Sequence, residues 1–204
     1  MKLVLASGSP RRRELLTEYG YDFTVRTGGF DESSVSLEDP EAGAAELALG
    51  KAKAAREALR ADGVPTDGML FLGSDTVVVK NGLVLGKPRD EADAFRMLRE
   101  LSGQTHQVIT GAALLSPDGE EIFAVTTDVE FYELTDEEIN RYIATGEPMD
   151  KAGAYGIQGL GGVLVRSIRG DYYTVVGLPL AEVVRRLRNY GILPGSFTKN
   201  STSV

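Results

Sequence analysis

An α/β fold built on a mixed sheet, flanked by helices, is expected from three observations in this 204-residue chain. Apolar runs of strand length alternate with segments of helical spacing almost from end to end, which favours parallel strands linked by helices. Asn81-Gly82 and Pro117-Asp118-Gly119 are hairpin turns, which add antiparallel pairs to the same sheet. No repeat or low-complexity segment interrupts the pattern, so residues 1–194 read as a single domain.

Leu3-Val4-Leu5-Ala6 reads as a short buried strand, followed by Ser9 as an N-cap and Pro10 as the first residue of a helix closed by Gly20. A strand near Phe23-Thr24-Val25 leads to an acidic loop at Asp31-Glu32. Asp39-Pro40-Glu41 opens a long helix to about Asp62, with Ala48, Ala52, Ala55 and Leu59 at helical spacing. Residues 69–72 and 76–79 make a nearly continuous apolar strand, returned by Asn81-Gly82 into Leu83-Val84-Leu85. A helix from Asp90 to Gly103 precedes two longer strands, at about 108–115 and 122–133. Thr135-Asp136-Glu137-Glu138 is a capping box for a helix ending at Gly146. Beyond a Gly-rich stretch at 153–162, residues 163–168 and 172–176 are expected to form another hairpin, and Pro179 to begin a last helix closed by Gly191. Residues 195–204 are polar and expected to be a disordered tail, where Asn200-Ser201-Thr202 matches a glycosylation acceptor by chance.

The chain is acidic, with 22 basic against 30 acidic residues and a net charge of -8. Broad binding to nucleic acid or to an anionic membrane is therefore not expected, whereas a small polyphosphate held by local cations is. Cysteine is absent, which excludes disulfides, thiolate metal sites and a thiol nucleophile. The N-terminal apolar run is far too short for a signal h-region and no stretch approaches the length of a membrane span, so a cytoplasmic location is expected.

Ser7-Gly8-Ser9-Pro10-Arg11-Arg12-Arg13 carries the strongest chemical signal. It places arginines at a helix N-terminus, whose partial positive charge makes cations there unfavourable by a few tenths of a kcal/mol each. An anion reverses the balance: unpaired N–H groups, Ser7 and Ser9 hydroxyls, an open glycine and the arginines together make a phosphate cradle. Successive helical residues point about 100° apart, so the three arginines do not all reach one ligand; Arg11 and Arg12 are the expected pair.

Asp75 is the second anomaly, a carboxylate inside an apolar strand, which costs several kcal/mol unless a cation, a metal or an open cleft lies beside it. Gly73 and Ser74 suggest a break in the strand where a ligand approaches. Lys87, at the end of the hairpin, and Lys51, midway along the long helix, are ordinary surface lysines when read alone, but either can return to the same cleft. Asp31 and Glu32 offer oxygen ligands for a hard divalent ion. His106 is the only histidine, so a multi-histidine metal site is excluded, a Ser-His-Asp triad is not expected and His106 reads as structural. The run from Gly153 to Gly162 matches neither the dinucleotide fingerprint nor the Walker A spacing and reads as a flexible loop lining a cleft, with Asp150 and Lys151 just before it.

Taken in order, Ser7-Gly8-Ser9-Pro10-Arg11-Arg12, Gly73-Ser74-Asp75-Thr76-Val77-Val78, Gly86-Lys87-Pro88, Leu101-Ser102-Gly103-Gln104-Thr105-His106 and Asp150-Lys151-Ala152-Gly153-Ala154-Tyr155-Gly156-Ile157-Gln158-Gly159 closely resemble the motifs of the Maf family of nucleotide pyrophosphatases. The resemblance implies two lobes about a deep cleft, a shape related to inosine-triphosphate pyrophosphatases, and a homodimer. It also implies hydrolysis of a nucleoside triphosphate to monophosphate and pyrophosphate with a divalent cation, Mg²⁺ or Mn²⁺. Carried over by motif, Asp75 is the proton acceptor, Arg12, Lys51 and Lys87 bind phosphate, and Glu32 is the acidic position after the second strand; read from the residues alone, Asp75 either takes the proton or, with Glu32, holds the metal that acidifies the water. Arg11, Thr76 and Gln158 match the residues of members that prefer dTTP and UTP. Two rivals stand beside this reading: a non-catalytic nucleotide-binding regulator of division, which needs the cradle but not Asp75, and an enzyme that removes the terminal phosphate with the same groups.

Overall fold

A seven-stranded mixed sheet is the spine of the molecule in the computed structural model, which describes residues 1–195. Strand β1 (Lys2–Leu5) runs parallel to β2 (Phe23–Val25) and to β3 (Met69–Lys80), with helices α1 (Pro10–Glu18) and α2 (Pro40–Ala61) along the connections. Every other pairing is antiparallel, linking β3 to β4 (Leu83–Leu85) and to β5 (Thr105–Leu115), β5 to β6 (Glu120–Phe131) and β6 to β7 (Val165–Arg169). Asn81 and Gly82 both take positive φ, 51° and 78°, as a tight hairpin turn matched to strand twist requires.

Alternation along the strands separates two faces. On one, Val4 and Phe71 pack with Ala52 and Ala55 of α2. On the other, Leu5, Leu16, Leu72 and Leu187 join β1, α1, β3 and α6 (Leu180–Asn189) in one core. A second core gathers Leu98 and Leu101 of α3 (Glu91–Leu101) with Phe131 and with Ile139 of α4 (Asp136–Ile143). The long β3 passes through both cores, giving two lobes on one sheet. Thr135 and Glu138 form the expected capping box of α4.

Two expectations are corrected. First, β3 is unbroken through Gly73 and Ser74. A Cβ on Gly73 would stand 1.9 Å from the Ala48 carbonyl oxygen, and one on Gly111 of the paired strand 2.1 Å from that of Ala44, so glycine is present because α2 lies directly on the sheet. The opening is at the strand's side: β1 pairs with β3 only as far as Leu72 and β4 only from Val78 onward, so residues 73–77 have an edge that neither strand covers. Second, residues 172–176 form a helix, α5 (Tyr172–Val176), and only β7 of the expected hairpin is a strand. The β-branched Thr174-Val175-Val176 run suggested a strand, but Asp171 caps the turn by accepting from the Thr174 N–H at 2.7 Å and its hydroxyl at 2.8 Å. Of the polar tail, Gly195 donates its N–H to the Gly20 carbonyl at 2.7 Å, while residues 196–204, with Asn200-Ser201-Thr202, lie outside the described residues.

Candidate active site

The uncovered edge of β3 opens into a cleft of about 400 Å³, at the carboxyl end of β1 and between the two lobes. Ser7, Ser9, Arg11, Arg12, Lys51, Asp75, Thr76, Lys87 and Gln158 all line it, although they come from five separate stretches of chain. Arg13 does not. Glu32 lines a smaller adjoining recess of about 200 Å³ that shares Ser7, Gly8 and Lys51 with the main cleft.

Close packing of α2 at Gly73 brings Lys51, one turn beyond Ala48, over Asp75, two residues beyond Gly73 on the same face. The Lys51 ammonium is 2.5 Å from Asp75 Oδ1 and 3.0 Å from Glu32 Oε1. Asp75 is therefore a nearly buried carboxylate beside a cation and an open cleft, which resolves its cost within an apolar strand. Among the described residues, Asp75 Oδ2 has no hydrogen-bond partner. Asp31 makes no ion pair with this cation; its carboxylate accepts from the Ser33 N–H at 3.0 Å and the Ser33 hydroxyl at 2.6 Å.

Arg12 is buried, and its guanidinium is spread over three acceptors. Nε donates to the Gly177 carbonyl at 2.6 Å, Nη1 to Ser7 Oγ at 2.9 Å and Nη2 to Thr76 Oγ1 at 3.1 Å. None of these is a carboxylate. Burial lowers its pKa to about 10, below the ordinary arginine value, with Asp75 acting in the opposite direction and Arg11 adding to the fall. A cation kept in place by neutral dipoles, on the wall of a cleft, is a site built for an anion. Ser9 occupies the N-cap position of α1 without a side-chain cap, and its own N–H donates to Ser7 Oγ at 3.3 Å. The first turn of α1 thus keeps its N–H groups unspent on the cleft side.

Thr76 Oγ1 is engaged on the opposite face of β3, 2.9 Å from Thr110 Oγ1 as well as accepting from Arg12. Lys87 is exposed on the cleft wall. His106 is structural, as expected: Nε2 lies 2.7 Å from the Tyr155 hydroxyl, and its ring packs edge-on against Phe131.

The Gly-rich stretch lines the cleft, but as short 3₁₀ turns at Ala152–Ala154 and Gly159–Leu164 pinned by side chains, where a flexible loop was expected. Glu147 accepts from the N–H groups of Leu160 and Gly161, each at 3.0 Å, and from the Tyr142 hydroxyl at 2.9 Å. Sequence reasoning missed Glu147, Tyr142 and the Gly177 carbonyl. The one general signal for such a residue is that the N–H groups of a turn-rich, glycine-rich stretch need acceptors, and no spacing in the sequence says which acid supplies them.

The family described as Maf-like protein matches residues 2–190. The chain belongs to this family. Relatives of the Maf-like chain include the dTTP/UTP pyrophosphatase of Clostridium novyi (strain NT), 48% identical over 94% of this chain and 99% of that protein. The dTTP/UTP pyrophosphatase of Geobacillus sp. (strain WCH70) is 48% identical over 93% and 98% of the two chains. A dTTP/UTP pyrophosphatase of Bacillus cereus is 46% identical over 94% and 96%. Among solved structures, the Staphylococcus aureus Ham1 protein matches with a TM-score of 0.46 and 15% identity, over 81% of this chain and 80% of that one.

Proposed function

We propose that this Maf-like chain hydrolyses nucleoside triphosphates, dTTP and UTP above others, to the monophosphate and pyrophosphate, and so cleanses the nucleotide pool. The observation that carries the reading is the meeting, at the uncovered edge of β3, of Asp75 with Lys51, buried Arg12 and the start of α1. A regulator that only binds nucleotide has no use for a carboxylate in the middle of that strand.

Each group then has a task. The triphosphate lies against the first turn of α1, where backbone N–H groups, Arg12 and Lys87 take its charge. Ser7 Oγ, which accepts from Arg12, still has its own proton to give to a phosphate oxygen. Lys51 orients Asp75 and neutralises charge on the phosphoryl group under attack. Asp75 Oδ2 accepts a proton from the water that attacks phosphorus, the α–β bridging bond breaks, and pyrophosphate leaves with the bridging oxygen. Arg11, half-exposed beside the cradle, helps to hold the nucleotide. Thr76 acts through Arg12, so recognition of the base falls mainly to Gln158.

Glu32 and Asp75 fit a divalent cation, Mg²⁺ or Mn²⁺, because the two carboxylates already converge on one positive group, the Lys51 ammonium. Among the described residues no cluster of three or more metal-ligating side chains occurs, so phosphate oxygens and water would complete the shell. When bound, such an ion supplies charge neutralisation and a more acidic water.

We also read the protein as a cytoplasmic homodimer that binds neither nucleic acid nor membrane. The net charge of -8 supports the last two points, and among the described residues no helix is long and apolar enough to cross a membrane. The dimer rests on the family resemblance, and the compartment on the short N-terminal apolar run and the lack of cysteine. The test is a panel of dTTP, UTP, CTP, GTP and ATP compared by kcat/KM: dTTP and UTP should lead, and equal efficiency on purines would refute the base assignment.

A further inference from the structure

Gln158 occupies the N-cap position of the 3₁₀ turn Gly159–Leu164, yet its side chain makes no cap hydrogen bond. The N–H groups that an N-cap residue ordinarily satisfies, those of Leu160 and Gly161, are taken instead by Glu147, 11 residues upstream of Gln158, at 3.0 Å each. The same carboxylate accepts from the Tyr142 hydroxyl, which in turn accepts from the Gly156 N–H at 3.2 Å. Backbone on both sides of Gln158 is thus held by one Glu147–Tyr142 pair. The fit is tight: a Cβ on Gly159 would lie 2.9 Å from Glu147 Oε2, and one on Gly161 2.5 Å from the Tyr142 oxygen. Lys151 closes the base of the clamp by donating to the Glu147 carbonyl at 2.6 Å.

We infer that Glu147 is the positioning residue for base selection: it caps the 3₁₀ turn in place of Gln158, and so leaves the Gln158 amide free to face the nucleotide base in the cleft. An amide group has both donors and an acceptor, so a glutamine released from capping reads the edge of a pyrimidine, whereas one drawn back to its own turn reads nothing. The inference rests on the reading of Gln158 as the base-recognition residue. Glu147 does not line the cleft and lies outside the Asp75–Lys51–Arg12 group, so its loss should alter which base is accepted before it alters the rate of bond cleavage.

The experiment measures kcat and KM for dTTP and CTP in wild type, Glu147→Ala, Gln158→Ala and the double variant. Glu147→Ala should lower the dTTP-to-CTP ratio of kcat/KM by about tenfold, the scale of one well-placed polar contact, mainly through KM for dTTP. The double variant should match Gln158→Ala, because both changes act on one contact. A ratio unchanged in Glu147→Ala while Gln158→Ala abolishes it would overturn the clamp and leave the Gln158 reading intact. A ratio unchanged in Gln158→Ala would overturn both. If Glu147→Ala does not fold, Glu147→Gln keeps the size and one acceptor; it should shift the ratio in the same direction by a smaller factor, and an unchanged ratio there would equally overturn the proposal.

Discussion

The two walls of the cleft are built in different ways. One wall is regular secondary structure: Arg12 on α1, Lys51 on α2 and Asp75 on β3, fixed by backbone ladders and by α2 seated on Gly73 and Gly111. The other is a succession of short turns from Gly146 to Leu164, with no ladder, held by the side chains of Glu147, Tyr142 and His106. On the proposed reading the first wall carries the groups that act on phosphate, apart from Lys87 on the loop after β4, and the second carries Gln158. Rigid elements suit chemistry whose reacting atoms must be held to a fraction of an ångström, while a side-chain clamp sets recognition without constraining the scaffold. Variants in the two walls should therefore fail differently, the first in rate or folding and the second in selectivity.

The largest effect is expected from Asp75→Asn. It keeps size and packing while removing the carboxylate proposed as proton acceptor, so kcat on dTTP should fall by about 10²–10⁴-fold with the circular dichroism spectrum unchanged. Near wild-type turnover would make Asp75 a structural partner of Lys51 only. Next is Gly73→Ala, whose Cβ has a backbone oxygen 1.9 Å away and no flexible side chain to displace. Overpacking of this kind should cost about 3 kcal/mol or more in urea unfolding, and a loss below about 1 kcal/mol would show that α2 is not seated as described.

The turn-built wall has a pH signature. Burial, and secondarily the charge of Lys80, holds the His106 pKa at about 4, below the ordinary 6.5. Between those values the unfolded chain binds a proton that the folded chain refuses, so stability falls as pH drops from 6.5 towards 4, by about 3 kcal/mol in all. His106→Gln, which can still pair with the Tyr155 hydroxyl, should lack that component; parallel stability curves for the two proteins would remove His106 as its source. The smallest effect is that of Gly159→Ala. With φ at +71° and Glu147 Oε2 alongside, the change should cost about 1 kcal/mol and reduce preference for dTTP over CTP while kcat on dTTP holds. A matching fall in rate on every nucleotide would blur the distinction between the two walls.

The same division governs what was legible in the sequence. The cradle could be read because a strand, Ser-Gly-Ser-Pro and misplaced arginines are contiguous, and Asp75 because a carboxylate in an apolar strand is anomalous by itself. Gly73 reads in the sequence as a strand break, but the letter is the same whether a strand breaks or a helix lies on it, and the cause is Ala48, 25 residues away. Thr174-Val175-Val176 has strand propensity, and one Asp171 cap overrode it. Thr76 showed its hydroxyl but not that Arg12 and Thr110 already held it. The Glu147 clamp joins side chain to backbone across a turn whose shape no periodicity encodes.

The most direct test of phosphate cleavage at this cleft is chromatographic analysis of the products formed from dTTP by the purified wild-type protein with Mg²⁺. Hydrolysis between the α and β phosphates yields dTMP and pyrophosphate in equal amounts, and that is the expected result. Formation of dTDP and inorganic phosphate would contradict it.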